Sequence, residues 1–154
     1  MNANRHSNVL RAAARAAVVL SLAALSLRGV AATRGTTELG AAFLEGGIGQ
    51  PEIEAMQSET GKYSLWVITA ARHSGAYLAD VRLDIVDANG KLVMKRRMEG
   101  PWLLVDLPLG RYEVRAEVDG QVQSRTTTIH PGDHHQIVFY FTTEGEVLPR
   151  TGAR

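Results

Sequence analysis

The chain has 154 residues, no cysteine and a formal net charge of +1. This length allows one domain together with a processing segment. The absence of cysteine excludes disulfide bonds and a lipid-modified cysteine anchor. The sequence contains no internal repeat and no low-complexity tract.

The first 32 residues predict a secretory signal peptide of the Sec type. Three arginines precede an apolar run over residues 16–27, which is too short to span a bilayer as a helix. The small residues Val30-Ala31-Ala32 follow, so cleavage is predicted after Ala32. The alternative is an uncleaved amphipathic or anchoring helix, which Arg28 favours because it lies between the apolar run and the cleavage site.

A signal of this kind predicts a periplasmic or secreted protein with no stable membrane span after cleavage. Loss of the first 32 residues changes the net charge from +1 to −3, because four arginines and no acidic residue are removed. A mildly acidic domain without a basic cluster argues against nucleic acid as the main partner. The sequence leaves the oligomeric state open.

Residues 33–61 predict an N-terminal extension ahead of the main domain. The apolar segment 39–44 favours a short strand or a packing segment, and the glycine-rich stretch 46–49 favours a flexible or sharply turned link. A short helix is predicted to begin at Pro51 and to end at Gly61.

The apolar residues of this extension have two interpretations. Ile53 and Met56 are three positions apart and share one face of the predicted helix. They either pack back onto the first strand of the main domain, against Trp66 and Ile68, or form a partner-binding site together with Ile48.

The main domain, predicted over residues 62–142, consists of short strands with turn signals about every ten residues. Because no helical pattern is long enough to connect parallel strands, this spacing is typical of an all-β, antiparallel sandwich. Residues 143–154 show no periodicity and predict a mobile tail. Seven strand segments are predicted, at 63–71, 77–85, 92–98, 102–107, 112–118, 121–129 and 137–141.

One stretch determines this fold most clearly. Pro108 and Gly110 predict a turn, and apolar residues then alternate with charged residues from Tyr112 to Val118. Alternation with a period of two places one face in a core and the other in water. Burial is therefore expected for Leu107, Tyr112, Val114, Val81, Leu83 and Ile85, and exposure for Arg82, Asp84, Glu113 and Arg115.

The motifs Val81-x-Leu83-x-Ile85 and Leu107-Pro108-x-Gly110-x-Tyr112-x-Val114 resemble those of the carboxypeptidase regulatory-like domain. The resemblance covers about residues 63–141 and includes the turn at 87–90. It implies a seven-stranded, transthyretin-like (prealbumin/Ig-like) sandwich. It implies no particular activity, because one fold carries many functions. A separate resemblance, to a group of small exported Gram-negative proteins, is carried by three segments: Gly47-Ile48-Gly49-x-x-Glu52-x-x-x-Met56, Gly75-Ala76-Tyr77-Leu78 and Gly100-Pro101-Trp102-Leu103-Leu104.

Two relatives of that domain are disfavoured by departures from their patterns. Adhesin B-type repeats join a lysine to an asparagine or aspartate, whereas Asn89, the one asparagine after residue 32, lies in a predicted turn. The transthyretin-like hydroxyisourate hydrolases end in Tyr-Arg-Gly-Ser, whereas this chain ends in Thr151-Gly152-Ala153-Arg154.

The segment 130–135 is the one local cluster with the character of a metal site. His130, His134 and His135, together with Asp133, offer ligands suited to Cu(II), Ni(II) or Zn(II). The alternative is a solvated polar turn, since the adjacent His134 and His135 point to opposite faces of an extended strand.

Two further groups have a structural and a functional interpretation. Lys95-Arg96-Arg97 either protects a sheet edge from pairing with another chain or binds phosphates, lipid head groups or an acidic polymer. Trp66 and Trp102 lie in apolar strands and predict core positions, with stacking on sugar rings as the alternative.

The sequence contains no assembled nucleophile and base and no cofactor motif, so it predicts neither an enzyme nor a cofactor. The leading hypothesis is an exported, non-enzymatic module that binds a partner protein or a cell-envelope glycan. Periplasmic metal binding through the turn at His130–His135 is the alternative. A small hydrolase on a transthyretin-like frame is a third hypothesis.

Overall fold

The computed structural model describes residues 32–143, which form nine β-strands and one α-helix. The helix α1 spans Gln50–Glu59 and continues into a 3₁₀ turn at Thr60–Lys62. The strands are β1 (Thr33–Thr36), β2 (Ala42–Gly46), β3 (Leu65–Ala71), β4 (Arg82–Asp87), β5 (Leu92–Arg97), β6 (Trp102–Val105), β7 (Gly110–Val118), β8 (Gln121–Ile129) and β9 (His135–Phe141).

The predicted signal peptide and the predicted tail lie outside the described residues, apart from residues 32 and 143. The structure therefore does not describe the predicted cleavage after Ala32. Within residues 32–143, no helix is long and apolar enough to cross a membrane.

The strands form two sheets that pack face to face, which confirms an all-β, sandwich-like architecture. The five-stranded sheet has the order β1-β2-β6-β3-β9, and the four-stranded sheet has the order β5-β4-β7-β8. Alternate residues of each strand point inward and share one core. This core includes Leu65, Val67, Leu103 and Phe139 from the first sheet and Leu83, Ile85, Val114 and Ala116 from the second.

The sheets differ from the prediction in strand number and in strand direction. The sandwich has nine strands rather than seven, because the chain before residue 62 adds β1 and β2 to the five-stranded sheet. That sheet is also mixed rather than antiparallel, since β9 runs parallel to β3. A parallel pair needs a long connection, and here the strands β4 to β8 provide it instead of a helix.

The strands on either side of the predicted turn have the expected inner and outer faces. All six residues predicted for the core are buried, so the register derived from alternation is confirmed. Arg82 and Arg115 are exposed as predicted, whereas Asp84 and Glu113 are half-buried. Asp84 has Lys95 and Arg115 as its cross-strand neighbours, and the Glu113 carboxylate accepts hydrogen bonds from Ser124 and Arg115.

The turn itself is held by a tyrosine. The Tyr112 hydroxyl donates a hydrogen bond of 2.9 Å to the carbonyl oxygen of Pro108, and Gly110 has a φ of 151°, a conformation that glycine adopts readily. Burial, with a smaller contribution from the charge of Asp87, raises the pKa of Tyr112. The phenol therefore remains protonated and keeps its donor role.

The predicted helix is present and covers the outer face of the five-stranded sheet. Its residues Ile53 and Met56 are buried in a second apolar cluster with Leu44, Ile68 and Leu104. The packing interpretation of the extension is therefore confirmed for these two side chains. Of the residues predicted to bind a partner, only Ile48 remains accessible, with 49% of its surface exposed.

Candidate binding site on the four-stranded sheet

Charged side chains cover the outer face of the four-stranded sheet on three of its strands, β5, β4 and β7. Every second residue of a strand points to the same side, so β5, β4 and β7 together place two cross-strand rows on this face. A groove of about 390 Å³ lies between them, which is within the size range of small-ligand sites. The rows are Lys95–Asp84–Arg115 and Arg97–Arg82–Glu117.

Most of the cations on this face form ion pairs with neighbouring carboxylates. Arg82 Nη1 lies 3.3 Å from Glu117 Oε1, and Arg115 Nη2 lies 3.3 Å from Glu113 Oε1. Exposed pairs of this kind contribute only about 0–1 kcal/mol each. Lys95 forms no ion pair with any described residue. The guanidinium groups are therefore held weakly enough to bind another anion.

The acidic groups around the groove are stabilised in their charged form. The hydrogen bond from Arg97 lowers the pKa of Asp80, and the same contact raises the pKa of Arg97. The hydrogen bond from Ser124, followed by that from Arg115, lowers the pKa of Glu113. Both carboxylates are therefore ionised at neutral pH, and the face keeps a fixed pattern of charges.

The basic run Lys95-Arg96-Arg97 lies on β5, which is an edge strand of its sheet. Lys95 and Arg97 are exposed and line the groove. Arg96 turns toward the other sheet, where it forms an ion pair with Glu45 and lies over the Phe43 ring at 4.6 Å from its centroid. The run therefore does not form one cationic surface. Strand alternation by itself indicates the same result, because consecutive residues of a strand point to opposite faces.

Glu45 on β2 is a buried charged residue that the sequence analysis missed. Its carboxylate is almost completely buried, with 1% of the residue exposed, and it accepts hydrogen bonds from Arg96 Nε and from the backbone N–H of Glu99. These contacts connect the two sheets along one side of the sandwich. The available signal was its position two residues after Phe43, which places both side chains on the inner face.

A second groove extends the first toward one end of the sheet. It has a volume of about 450 Å³ and shares Arg82, Arg97 and Glu117 with the first groove. The shared residues make the two grooves contiguous. Their volumes are larger than a single small ion requires.

Hydrogen bonds hold the turn at residues 130–135, but they do not bring its three imidazoles together. Asp133 Oδ2 lies 3.0 Å from His130 Nδ1 and 2.9 Å from His135 Nε2. His134 Nδ1 instead lies 2.8 Å from the carbonyl oxygen of Tyr63. No group of three or more His, Cys, Asp or Glu residues within residues 32–143 is arranged to hold a metal ion. Metal binding at this turn stays a prediction.

The two tryptophans contact each other beside α1. Trp102 is buried, with 4% of its surface exposed, and its ring stacks on that of the half-buried Trp66 at 6.5 Å between centroids. The ring of Tyr77 meets Trp102 edge-on at 6.1 Å. This arrangement favours the core interpretation over stacking on sugar rings, because the indole face of Trp102 is not accessible.

No protein-family model and no curated protein sequence matches this chain. The resemblance to the carboxypeptidase regulatory-like domain therefore rests on the sequence motifs alone.

Proposed function

We propose that this chain is an exported, non-enzymatic binding module of the carboxypeptidase regulatory-like kind, which binds a partner protein or a cell-envelope glycan. The binding surface in this proposal is the outer face of the four-stranded sheet. The observation that carries the proposal is the difference between the two outer faces. The chain covers one of them with α1, whereas the other is open and contains a groove with a high density of hydrogen-bonding groups.

The composition of the open face supports binding better than catalysis. Its groups are guanidinium, ammonium and carboxylate side chains in weak, exposed pairs, which is the composition of a recognition surface that exchanges one anion for another. A catalytic site would need a nucleophile within hydrogen-bonding distance of a base. The groove lining contains no serine, threonine, cysteine or histidine, and the Ser124 hydroxyl that donates a hydrogen bond to Glu113 on this face lies outside the groove.

The experiment measures retention of the purified chain on peptidoglycan, on acidic and neutral polysaccharides, and on envelope extract. A double variant, Arg82→Glu with Arg115→Glu, reverses two charges of the open face. The control variant, Lys62→Glu with Lys91→Glu, makes the same change in net charge on side chains that do not line the groove. We expect retention of the native chain on at least one material, loss in the first variant and no change in the control.

Retention that is equal in all three proteins would place the binding surface elsewhere. Absence of retention on every material would contradict the proposal itself.

A further inference from the structure

Two arginines face each other directly across neighbouring strands of the open sheet. Arg82 on β4 is the cross-strand partner of Arg97 on β5, and like charges in directly opposite positions are destabilising. Each arginine contacts a different carboxylate, Glu117 for Arg82 and Asp80 for Arg97. Glu117 lies on β7, on the far side of Arg82 from Arg97, and the hydrogen bond from Arg97, together with the charges of Arg97 and Arg82, lowers the pKa of Asp80. An anion placed between the two guanidinium groups would add to this partial neutralisation.

Lys95 adds a third cation at this position. It lies two residues before Arg97 on the same strand and face, lines the same groove, and has no ion-pair partner among the described residues. An edge-strand protection role would explain the charges of β5. It does not explain Arg82 or Arg115, which lie on the interior strands β4 and β7.

The charge of the groove is opposite in sign to the net charge of the described chain. Residues 32–143 contain eleven Lys and Arg residues and fourteen Asp and Glu residues, a net charge of −3. Five of those eleven cations line this one groove, together with only two carboxylates. Four of the five present their charge there, since Arg96 is paired with Glu45. The positive charge of an otherwise acidic domain is therefore concentrated in one groove, where several donors can reach a single ligand.

We infer that the open face binds an acidic polysaccharide of the uronic-acid type, with a carboxylate of the ligand placed between Arg82, Arg97 and Lys95. This inference rests on the proposed function and names its ligand class. Guanidinium groups bind carboxylates through paired, charge-assisted hydrogen bonds. Asp84 and Glu117, which lie beside these cations, accept hydrogen bonds from sugar hydroxyl groups, a role that an anionic membrane surface would not require.

The combined size of the two grooves also favours a ligand larger than a single ion. The two contiguous grooves of about 390 and 450 Å³ share Arg82, Arg97 and Glu117, so the anion position lies between them rather than at a closed end. A chain of sugar rings extends from this position into both grooves. A free carboxylate or phosphate ion would use only a small part of the surface.

The test measures binding of the full chain to polygalacturonate by titration calorimetry, with neutral dextran as the uncharged comparison. We expect binding to polygalacturonate only, weaker at higher salt because the contacts are between exposed charges. Lys95→Gln and Arg97→Gln should each weaken binding about tenfold, which corresponds to the loss of one charge-assisted hydrogen bond. Lys62→Gln removes the same charge away from the groove and should leave binding unchanged.

The outcomes separate this inference from the proposed function. Unchanged affinity in Lys95→Gln and Arg97→Gln, or binding to anionic phosphatidylglycerol vesicles but not to polygalacturonate, would overturn the inference. If dextran or an envelope protein binds instead, and the Arg82→Glu, Arg115→Glu variant abolishes that binding, the inference fails while the proposed function stands. If no material binds through this face, both fail. Lys95→Gln is the most direct variant, because Lys95 has no partner in the described chain whose loss would disturb the fold.

Discussion

The outer faces of the two sheets have opposite surface chemistry. On the five-stranded sheet, Leu44, Ile68 and Leu104 form an apolar surface, and α1 covers it with Ile53 and Met56. On the four-stranded sheet, the outer-face residues of β4, β5 and β7 that line the groove are charged, and no helix covers them. The chain therefore covers the apolar outer face of one sheet with its own helix and leaves the polar outer face of the other sheet open.

The link before the helix shows how that cover is achieved. Gly47 has a φ of 89°, and a Cβ at this position would lie 2.8 Å from Cδ1 of Trp102. Glycine is therefore required both for the backbone conformation and for the close approach to the indole. The link allows the chain to leave β2 at the sheet edge and return over the sheet as α1.

The largest effect is expected when the cover and its two strands are removed together. A chain that begins at Lys62 lacks α1, β1 and β2, so β6 loses the partner strand that pairs with it from Phe43 to Gly46. We expect this shortened chain to lose cooperative unfolding and to expose new apolar surface. Urea denaturation and binding of a hydrophobic dye measure both properties. If the shortened chain is as stable as the native chain, the five-stranded sheet does not need α1, β1 and β2 in order to stay folded.

Much of the sandwich was predictable because its strands alternate strictly. The pattern from Tyr112 to Val118 specified the inner and outer faces of β7, and Pro51 correctly indicated the start of α1. The strand β1 was not predictable, because Thr33–Thr36 is a short, mostly exposed edge strand without apolar alternation. The parallel pairing of β3 with β9 joins residues about seventy positions apart, so no local pattern encodes it.

The candidate site was predictable only in part, for a similar reason. The run at Lys95–Arg97 was recognised as charged, but its role depends on cross-strand neighbours such as Arg82, which lies fifteen residues away in β4. The register that brings them together follows from non-local hydrogen bonds. The buried Glu45 was missed because an acidic residue in an apolar segment resembles a surface position until its ion-pair partner is known.

Single substitutions on the two outer faces should differ clearly in their effect on stability. Met56 is 1% exposed, so Met56→Ala should lower the free energy of unfolding by about 2–5 kcal/mol through lost burial and a cavity under α1. Arg82→Gln removes only an exposed ion pair and should change it by about 0–1 kcal/mol. Chemical denaturation measures both. Comparable losses in the two variants would mean that the open face is as important for stability as the covered one.

The ion pair between the sheets should have an intermediate effect. Glu45→Ala leaves Arg96 without its carboxylate and should lower the free energy of unfolding by about 2 kcal/mol, less than for a fully buried pair because Arg96 retains access to water. Replacing both residues with methionine should recover most of this loss, since apolar side chains of similar size often substitute for buried pairs. If the double variant is no more stable than Glu45→Ala, apolar side chains do not replace the ion pair, and the pair itself stabilises the packing between the sheets.

The smallest effect is expected at the turn between β8 and β9, which joins the two sheets. Hydrogen bonds from His135, from the backbone N–H of His130 and from its ring lower the pKa of Asp133 to about 2, from an ordinary value of 3.8. A depressed folded-state pKa stabilises the fold above the unfolded value and loses that contribution as the pH falls toward 2. The native chain should therefore be slightly more stable than Asp133→Asn at pH 6, with the difference shrinking between about pH 4 and pH 2. Denaturation midpoints of the two proteins across this range measure the difference. A gap that persists at pH 2 would show that Asp133 acts through the shape of the turn and not through its charge.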